Sequence, residues 1–135
     1  MTTTAPPLAR QRSLTVLTWA ARVLLTLVFL GAGASKLAGE PAMVWMFDQI
    51  GAGQWMRYLV GALEVAGAIG VVVPRLTVLA ATGLALLMVG ATITNLAVLD
   101  APPWSPLVLL VLAALVLVAG LRRNRAARGT PTLVG

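Results

Sequence analysis

Four long apolar segments constrain the fold of this chain more than any other feature of its sequence. Each is long enough, and poor enough in charge, to cross a lipid bilayer as a helix. They cover residues 14–35, 55–73, 76–99 and 105–121, the second beginning near Trp55 or Tyr58. The short link between the second and third segments, Pro74-Arg75, predicts an antiparallel hairpin. The sequence therefore predicts an all-α, integral membrane four-helix bundle.

Composition supports a membrane protein. Of the 135 residues, 59% are hydrophobic and 10% are charged, and the mean hydropathy is +0.94. A soluble domain usually carries about 25% charged residues. The length allows one domain. We expect it at residues 14–121, between a mobile cytoplasmic N-terminus at 1–13 and a basic cytoplasmic C-terminal tail at 122–135.

Cysteine and histidine are both absent from the sequence. This excludes disulfides, thiol redox chemistry, and zinc or iron bound through cysteine or histidine of this chain alone. We therefore expect no metal site and no self-sufficient redox enzyme.

The charged residues predict how the chain is oriented in the membrane. One set of loops and tails is basic, and its members are Arg10, Arg12, Arg75, Arg122, Arg123, Arg125 and Arg128. The opposite set has mixed charge, with Lys36, Arg57, Glu40, Asp48 and Asp100. Basic loops stay in the cytoplasm, so both termini are predicted to face inward.

Other residues fit the same orientation. The aromatic residues Trp45, Trp55, Tyr58 and Trp104 would form a belt at the outer interface. The net charge is +6, and the basic residues flank the apolar segments. This placement is typical of a membrane topology signal and of contact with anionic lipid, and it argues against binding of nucleic acid. A cleaved signal peptide ending at "AGA", residues 32–34, is an alternative, but the apolar run is long for one and Arg22 interrupts it.

A short helix is predicted between the first two spans. Pro41 after Glu40 favours a helix start, and "GAG" at residues 51–53 favours a stop. The ten or so residues between are too few to cross a bilayer, and their apolar side fits an interfacial helix. The members of that side are Met43, Val44, Met46, Phe47 and Ile50. This helix can be a lid over a cavity, a docking site for a partner, or a plain connector.

Glu64 lies inside the second apolar segment and requires a partner. An unpaired ion at mid-membrane costs about 2.5–3.5 kcal/mol on insertion scales. Glu64 is therefore expected to face the bundle interior and to pair with Arg22 or Lys36. With Leu14 as the inner end of the first span, the Cα levels of Arg22 and Glu64 differ by about 8 Å, which extended side chains can largely close.

Helical spacing groups the polar and small residues of the spans. One stripe of the first span consists of Arg22, Thr26, Phe29, Gly33 and Lys36. One face of the second span consists of Gly61, Glu64, Ala68 and Val71, and a row of small residues on another face consists of Ala62, Ala66 and Gly70. The small row is predicted to make close helix contact. Asn95, near Thr92 and Thr94, can reach the cavity of Glu64. A cluster that only holds the helices together is the alternative.

The residues also resemble a known family. The pattern R-x6-F-x3-G-x2-K, from Arg22 to Lys36, and the stretch "VGALEVAGAIGVVVPR" are similar to the DoxX or DoxX-like group of small bacterial membrane proteins, over about residues 14–121. The resemblance implies a bacterial plasma-membrane protein with a central polar cluster that includes Arg22, Lys36 and Glu64. Relatives are linked to quinone-connected thiosulfate oxidation and to membrane complexes that handle oxidative stress. Some carry histidine or cysteines near the cavity, where this chain has Asn95.

Three functions are open at this point. The first is a small subunit or partner of a membrane redox system, in which Arg22, Lys36, Glu64 and Asn95 bind a quinone-like ligand. Its electrons would come from that ligand or from a membrane, periplasmic or extracellular partner protein. The second is a non-catalytic assembly or scaffold protein, which can also be a homo-oligomer. The third is a proton-coupled exporter, although a cation beside Glu64 would hinder proton exchange.

Overall fold

The computed structural model describes residues 7–129. This part of the chain forms five helices and no strand: α1 (Pro7–Ala38), α2 (Pro41–Ile50), α3 (Gln54–Val72), α4 (Thr77–Ala97) and α5 (Trp104–Arg128). Four of them, all except α2, are long and apolar enough to cross a membrane. The predicted all-α bundle of four spans with a short additional helix is confirmed.

The four long helices alternate in direction and pack as two pairs. The most extensive contacts join α1 to α3 and α4 to α5, and α3 packs on α4 across their short turn. The bundle therefore has two distinct ends. At one end, α1 begins, the turn between α3 and α4 lies, and α5 ends; we call this the terminal end. We call the opposite end the α2 end.

The described part of the bundle has a small core and an apolar outer surface. Between the helices lie Leu25, Phe29, Ala68, Val71, Ala81, Leu84, Met88, Ala113 and Val116. Large apolar side chains on the outside, such as Leu79 and Leu86, are mostly exposed. A bundle with this surface needs a lipid environment, in which close packing of small residues holds the helices together.

The bounds of two helices differ from the prediction. Helix α1 begins at Pro7, not Leu14, and α5 continues past Leu121 to Arg128. A helix can continue beyond its apolar run, and the hydroxyls of Ser13 and Thr15 donate to carbonyls four residues earlier inside a continuing helix. Residues 1–6 and 130–135 of the predicted mobile tails lie outside the described residues.

Helix α2 forms where the sequence indicates. Pro41 occupies the first helical position, and Gly51 ends the helix with φ 75°, a left-handed conformation that favours glycine. The predicted belt residues Trp45, Trp55, Tyr58 and Trp104 are exposed at or near the α2 end. Cytoplasmic placement of the termini stays a prediction.

Candidate functional site

The centre of the site is an ion pair between α1 and α3. Lys36 Nζ lies 2.9 Å from Glu64 Oε2, and both side chains are buried. Lys36 is in the last turn of α1 but does not extend toward the end of the bundle. Its ammonium folds back along the helix and also lies 3.5 Å from the carbonyl oxygen of Ala32. The charge of Glu64 is therefore matched inside the bundle.

Two glycines let the helices approach closely enough for this contact. A Cβ on Gly33 would lie 2.8 Å from the carbonyl oxygen of Gly61, and a Cβ on Gly61 would lie 3.1 Å from that of Gly33. Lys36 follows Gly33 by three residues, and Glu64 follows Gly61 by three. The close crossing thus brings the two charged residues together. Of the predicted small row, Gly70 is buried against Ala80, whereas Ala62 and Ala66 are exposed, so most of that row is not a helix contact.

Arg22 is not the partner of Glu64. The Gly33–Gly61 crossing, together with the 2.9 Å hydrogen bond from Thr26 Oγ1 to the Ala68 carbonyl oxygen, places Arg22 level with the end of α3. Arg22 is therefore at the terminal end, about 12 Å along the axis from the level of Glu64. The estimate from the sequence was wrong because it took Leu14 as the membrane boundary, although α1 continues well beyond the end of α3.

Side-chain direction explains why Lys36 is chosen. Side chains on a helix lean toward its N-terminus. On α1 that direction carries Lys36 toward Glu64 and Arg22 away from it. On the antiparallel α3, Glu64 leans toward the α2 end and so toward Lys36. Lys36 can thus span a level difference of about 9 Å at the helix axes.

A cavity of about 370 Å³ adjoins the ion pair. Its polar lining includes Lys36, Glu64, Thr94, Asn95 and Ser105. The rest of the lining is mainly apolar and includes Phe29, Met46, Phe47, Met56 and Met88. Arg22 is not among the lining residues, so three of the four predicted site residues share the cavity and the fourth is separate.

The cavity exists because α3 and α4 diverge. Near their turn, Gly67 and Gly70 admit Leu84 and Ala80, since a Cβ would lie 2.5 Å from Leu84 Cδ2 and 2.8 Å from Ala80 Cβ. Toward the α2 end, residues of α3 and α4 face the cavity instead of each other. The two helix pairs therefore form a cleft that is closed at the terminal end and widens toward the α2 end.

Helix α2 covers the wide end of this cleft. Its side chains Met46, Phe47 and Ile50 line the cavity at the α2 end, and Phe47 is buried. The side chain of Gln54 holds α2 to α3: its Nε2 donates to the Val44 carbonyl oxygen at 3.0 Å and to Asp48 Oδ1 at 2.7 Å. The apolar side of α2 therefore forms part of the cavity wall.

Arg57 is a buried residue of this region that sequence reasoning placed at the interface and left out of the cluster. It is 4% exposed. Its Nε donates to Gln54 Oε1 at 2.7 Å, its Nη1 donates to the Lys36 carbonyl oxygen, and its guanidinium lies 4.3 Å from the Tyr58 ring centroid. Arg57 thus connects Gln54, whose side chain holds α2, to the C-terminal turn of α1, where a cation is favourable.

Asn95 contributes the polar wall on α4. Its Nδ2 donates to the Pro102 carbonyl oxygen at 3.0 Å, which ties the end of α4 to the loop before α5. The side chain is half-buried and lines the cavity with Lys36 and Glu64. It can therefore contact a molecule that also reaches the ion pair.

Comparison with models of known protein families finds a match. A sequence profile described as the DoxX-like family matches residues 20–121, which is most of the chain. The match includes all four spans except the N-terminal part of α1 and the C-terminal part of α5. No curated protein and no solved structure matches.

Proposed function

Because the chain belongs to the DoxX-like family and has four helices able to span a membrane, we propose that it is a small subunit or partner of a membrane redox system. In this proposal the cleft cavity binds a quinone-like ligand. The observation that carries it is the placement of a buried ion pair on the wall of a mainly apolar cavity.

The size and lining of the cavity support a small amphipathic ligand. Sites for small molecules usually measure about 300–1,000 Å³ and combine an apolar wall with a few polar groups. The volume of about 370 Å³ lies in this range. Three methionines, Met46, Met56 and Met88, supply a deformable wall suited to a flat ring.

The polar groups match the two oxygens of a quinone. The Lys36 ammonium and the Asn95 amide are donors for a carbonyl oxygen, and the Glu64 carboxylate is an acceptor for a quinol hydroxyl. All three residues line the cavity. With no cysteine or histidine in the sequence, the electrons would pass between the ligand and a partner protein.

The same proposal includes an orientation. The arginine-rich terminal end would face the cytoplasm of a bacterium, in its plasma membrane, and the α2 end would face outward. A periplasmic or extracellular redox partner would then approach the side of the bundle that contains the cavity.

Titration with a short-chain benzoquinone tests the proposal. The purified protein, in lipid-free detergent, would be titrated by calorimetry alongside Gly90→Leu and Gly83→Leu. A Cβ at either glycine meets no atom within 4 Å, and both lie on α4, but only Gly90 lines the cavity. We expect Gly90→Leu to weaken binding at least tenfold and Gly83→Leu to bind like the natural chain.

Two results would contradict this function. One is a natural chain that does not bind the quinone at all. The other is equal binding by both variants, which would place the quinone outside the cavity.

One observation favours a scaffold protein as the second candidate. Glu64 is already matched by Lys36, so the pair can serve the bundle alone. If the quinone does not bind and Glu64→Gln still co-purifies with the same membrane partners, the scaffold function is preferred.

A further inference from the structure

The terminal end of the bundle has a surplus of positive charge. The four acidic side chains of the sequence are Glu40, Asp48, Glu64 and Asp100. Three of these belong to α2 or to loops at the α2 end, and Glu64 pairs with Lys36. The arginines of the terminal end therefore have no acidic side chain to neutralise them.

Among these arginines, Arg22 is the buried one, so the lack of an acidic partner matters most for it. Its side chain is 4% exposed, its Nε is covered, and within residues 7–129 its guanidinium makes no hydrogen bond. The described contact is with the ring of Trp19, whose centroid is 5.1 Å from Arg22 Cζ. Arginine stays protonated in proteins, so Arg22 cannot escape by losing its charge.

Arg123 brings a second guanidinium to the same place. Its Nη2 donates to the Pro74 carbonyl oxygen at 2.6 Å, which fixes it beside the turn between α3 and α4. Arg22 is level with the end of α3, directly before the turn at which Arg123 is held, so both positive charges lie in the same region of the bundle. Two cations held in one region, with no acidic side chain near them in residues 7–129, favour the binding of an anion.

We propose that Arg22 and Arg123 form a binding site for a phosphate group at the terminal end of the bundle. Guanidinium groups bind phosphate through paired N–H donors, and none of the donors of Arg22 is used by the described chain. The phosphate belongs to a lipid headgroup or is free in solution. Trp19, half-exposed next to Arg22, adds an indole side chain of the kind that is enriched at membrane interfaces. The site is separate from the cavity and does not depend on the proposed function.

Thermal unfolding of the detergent-purified protein tests the site. The additions are dioleoyl phosphatidylglycerol, dioleoylglycerol, which has the same acyl chains without phosphate, and inorganic phosphate. We expect phosphatidylglycerol at saturation to raise the unfolding midpoint by about 4 °C or more, and dioleoylglycerol to have no effect. Stabilisation by inorganic phosphate at millimolar concentration would instead identify a free anion as the ligand.

Variants locate the effect. Arg22→Gln and Arg123→Gln should each raise the phosphatidylglycerol concentration needed for half of the stabilisation at least tenfold. Arg12→Gln, an exposed arginine on the same helix, is the control and should respond like the natural chain. If Arg22→Gln does not fold, Arg123→Gln carries the test, because Arg123 is exposed. Equal effects of all three variants, or stabilisation by dioleoylglycerol, would overturn the proposal.

Discussion

Replacing Lys36 with methionine removes the cation that lies 2.9 Å from Glu64. At an effective dielectric constant of about 20, two unit charges at this distance attract by about 6 kcal/mol. Desolvation of the two ions costs several kcal/mol each, so the intact pair adds little net stability. Loss of one partner is costly, because it leaves a buried charge without compensation.

The cost should differ between the two partners. Lys36→Met leaves Glu64 deep in the bundle, and we expect a loss of about 3 kcal/mol in the free energy of unfolding. Glu64→Gln leaves Lys36 in the last turn of α1, where the ammonium can extend to the α2 end, so the expected loss is about 1 kcal/mol. The double variant should lose about 1 kcal/mol, which gives a coupling energy of about 3 kcal/mol.

Equilibrium unfolding in mixed detergent micelles, followed by tryptophan fluorescence, measures all four proteins of this cycle. The reasoning is refuted if the two single losses simply add in the double variant. It is also refuted if Glu64→Gln is the more destabilising change, because Lys36 would then be unable to reach water.

Three further predictions concern the packing around the ion pair. Gly33→Ala should lose about 1–3 kcal/mol in the same unfolding assay, because its Cβ would lie 2.7 Å from Val65 Cγ2, whereas Gly31→Ala, with open space around it, should be neutral or stabilising. Thr26→Val removes one interhelical hydrogen bond and should cost about 0.6 kcal/mol. Arg57→Gln should speed hydrogen exchange of the α2 amides and leave those of α4 unchanged, and equal rates in α2 would show that α2 is held without it.

The fold was largely predictable because its signals are local. Span length, the Pro-Arg turn after Val73 and the Pro and Gly at the ends of α2 each act within a few residues. The full lengths of α1 and α5 were missed because a helix does not have to end at the bilayer surface. The cavity could not be predicted from the sequence, since it depends on how far α3 and α4 diverge.

The site was predicted in part. The requirement that Glu64 be paired follows from the cost of a buried charge, and the structure meets it with Lys36. The choice between the two candidate cations could have been made from the lean of side chains toward the helix N-terminus. Arg57 also left a signal: with Gly61, Glu64 and Ala68 it extends the buried stripe of α3 by one turn.

The ion pair has a consequence for how the protein is made. Lys36 lies on α1 and Glu64 on α3, so both residues are synthesised before α4 and α5. The two helices can therefore enter the bilayer with Glu64 already matched by Lys36, before α4 and α5 pack against them. If α1 and α3 entered the bilayer apart from each other, both charges would face lipid. Because both helices precede α4 and α5 in the sequence, they can pair first and avoid that state.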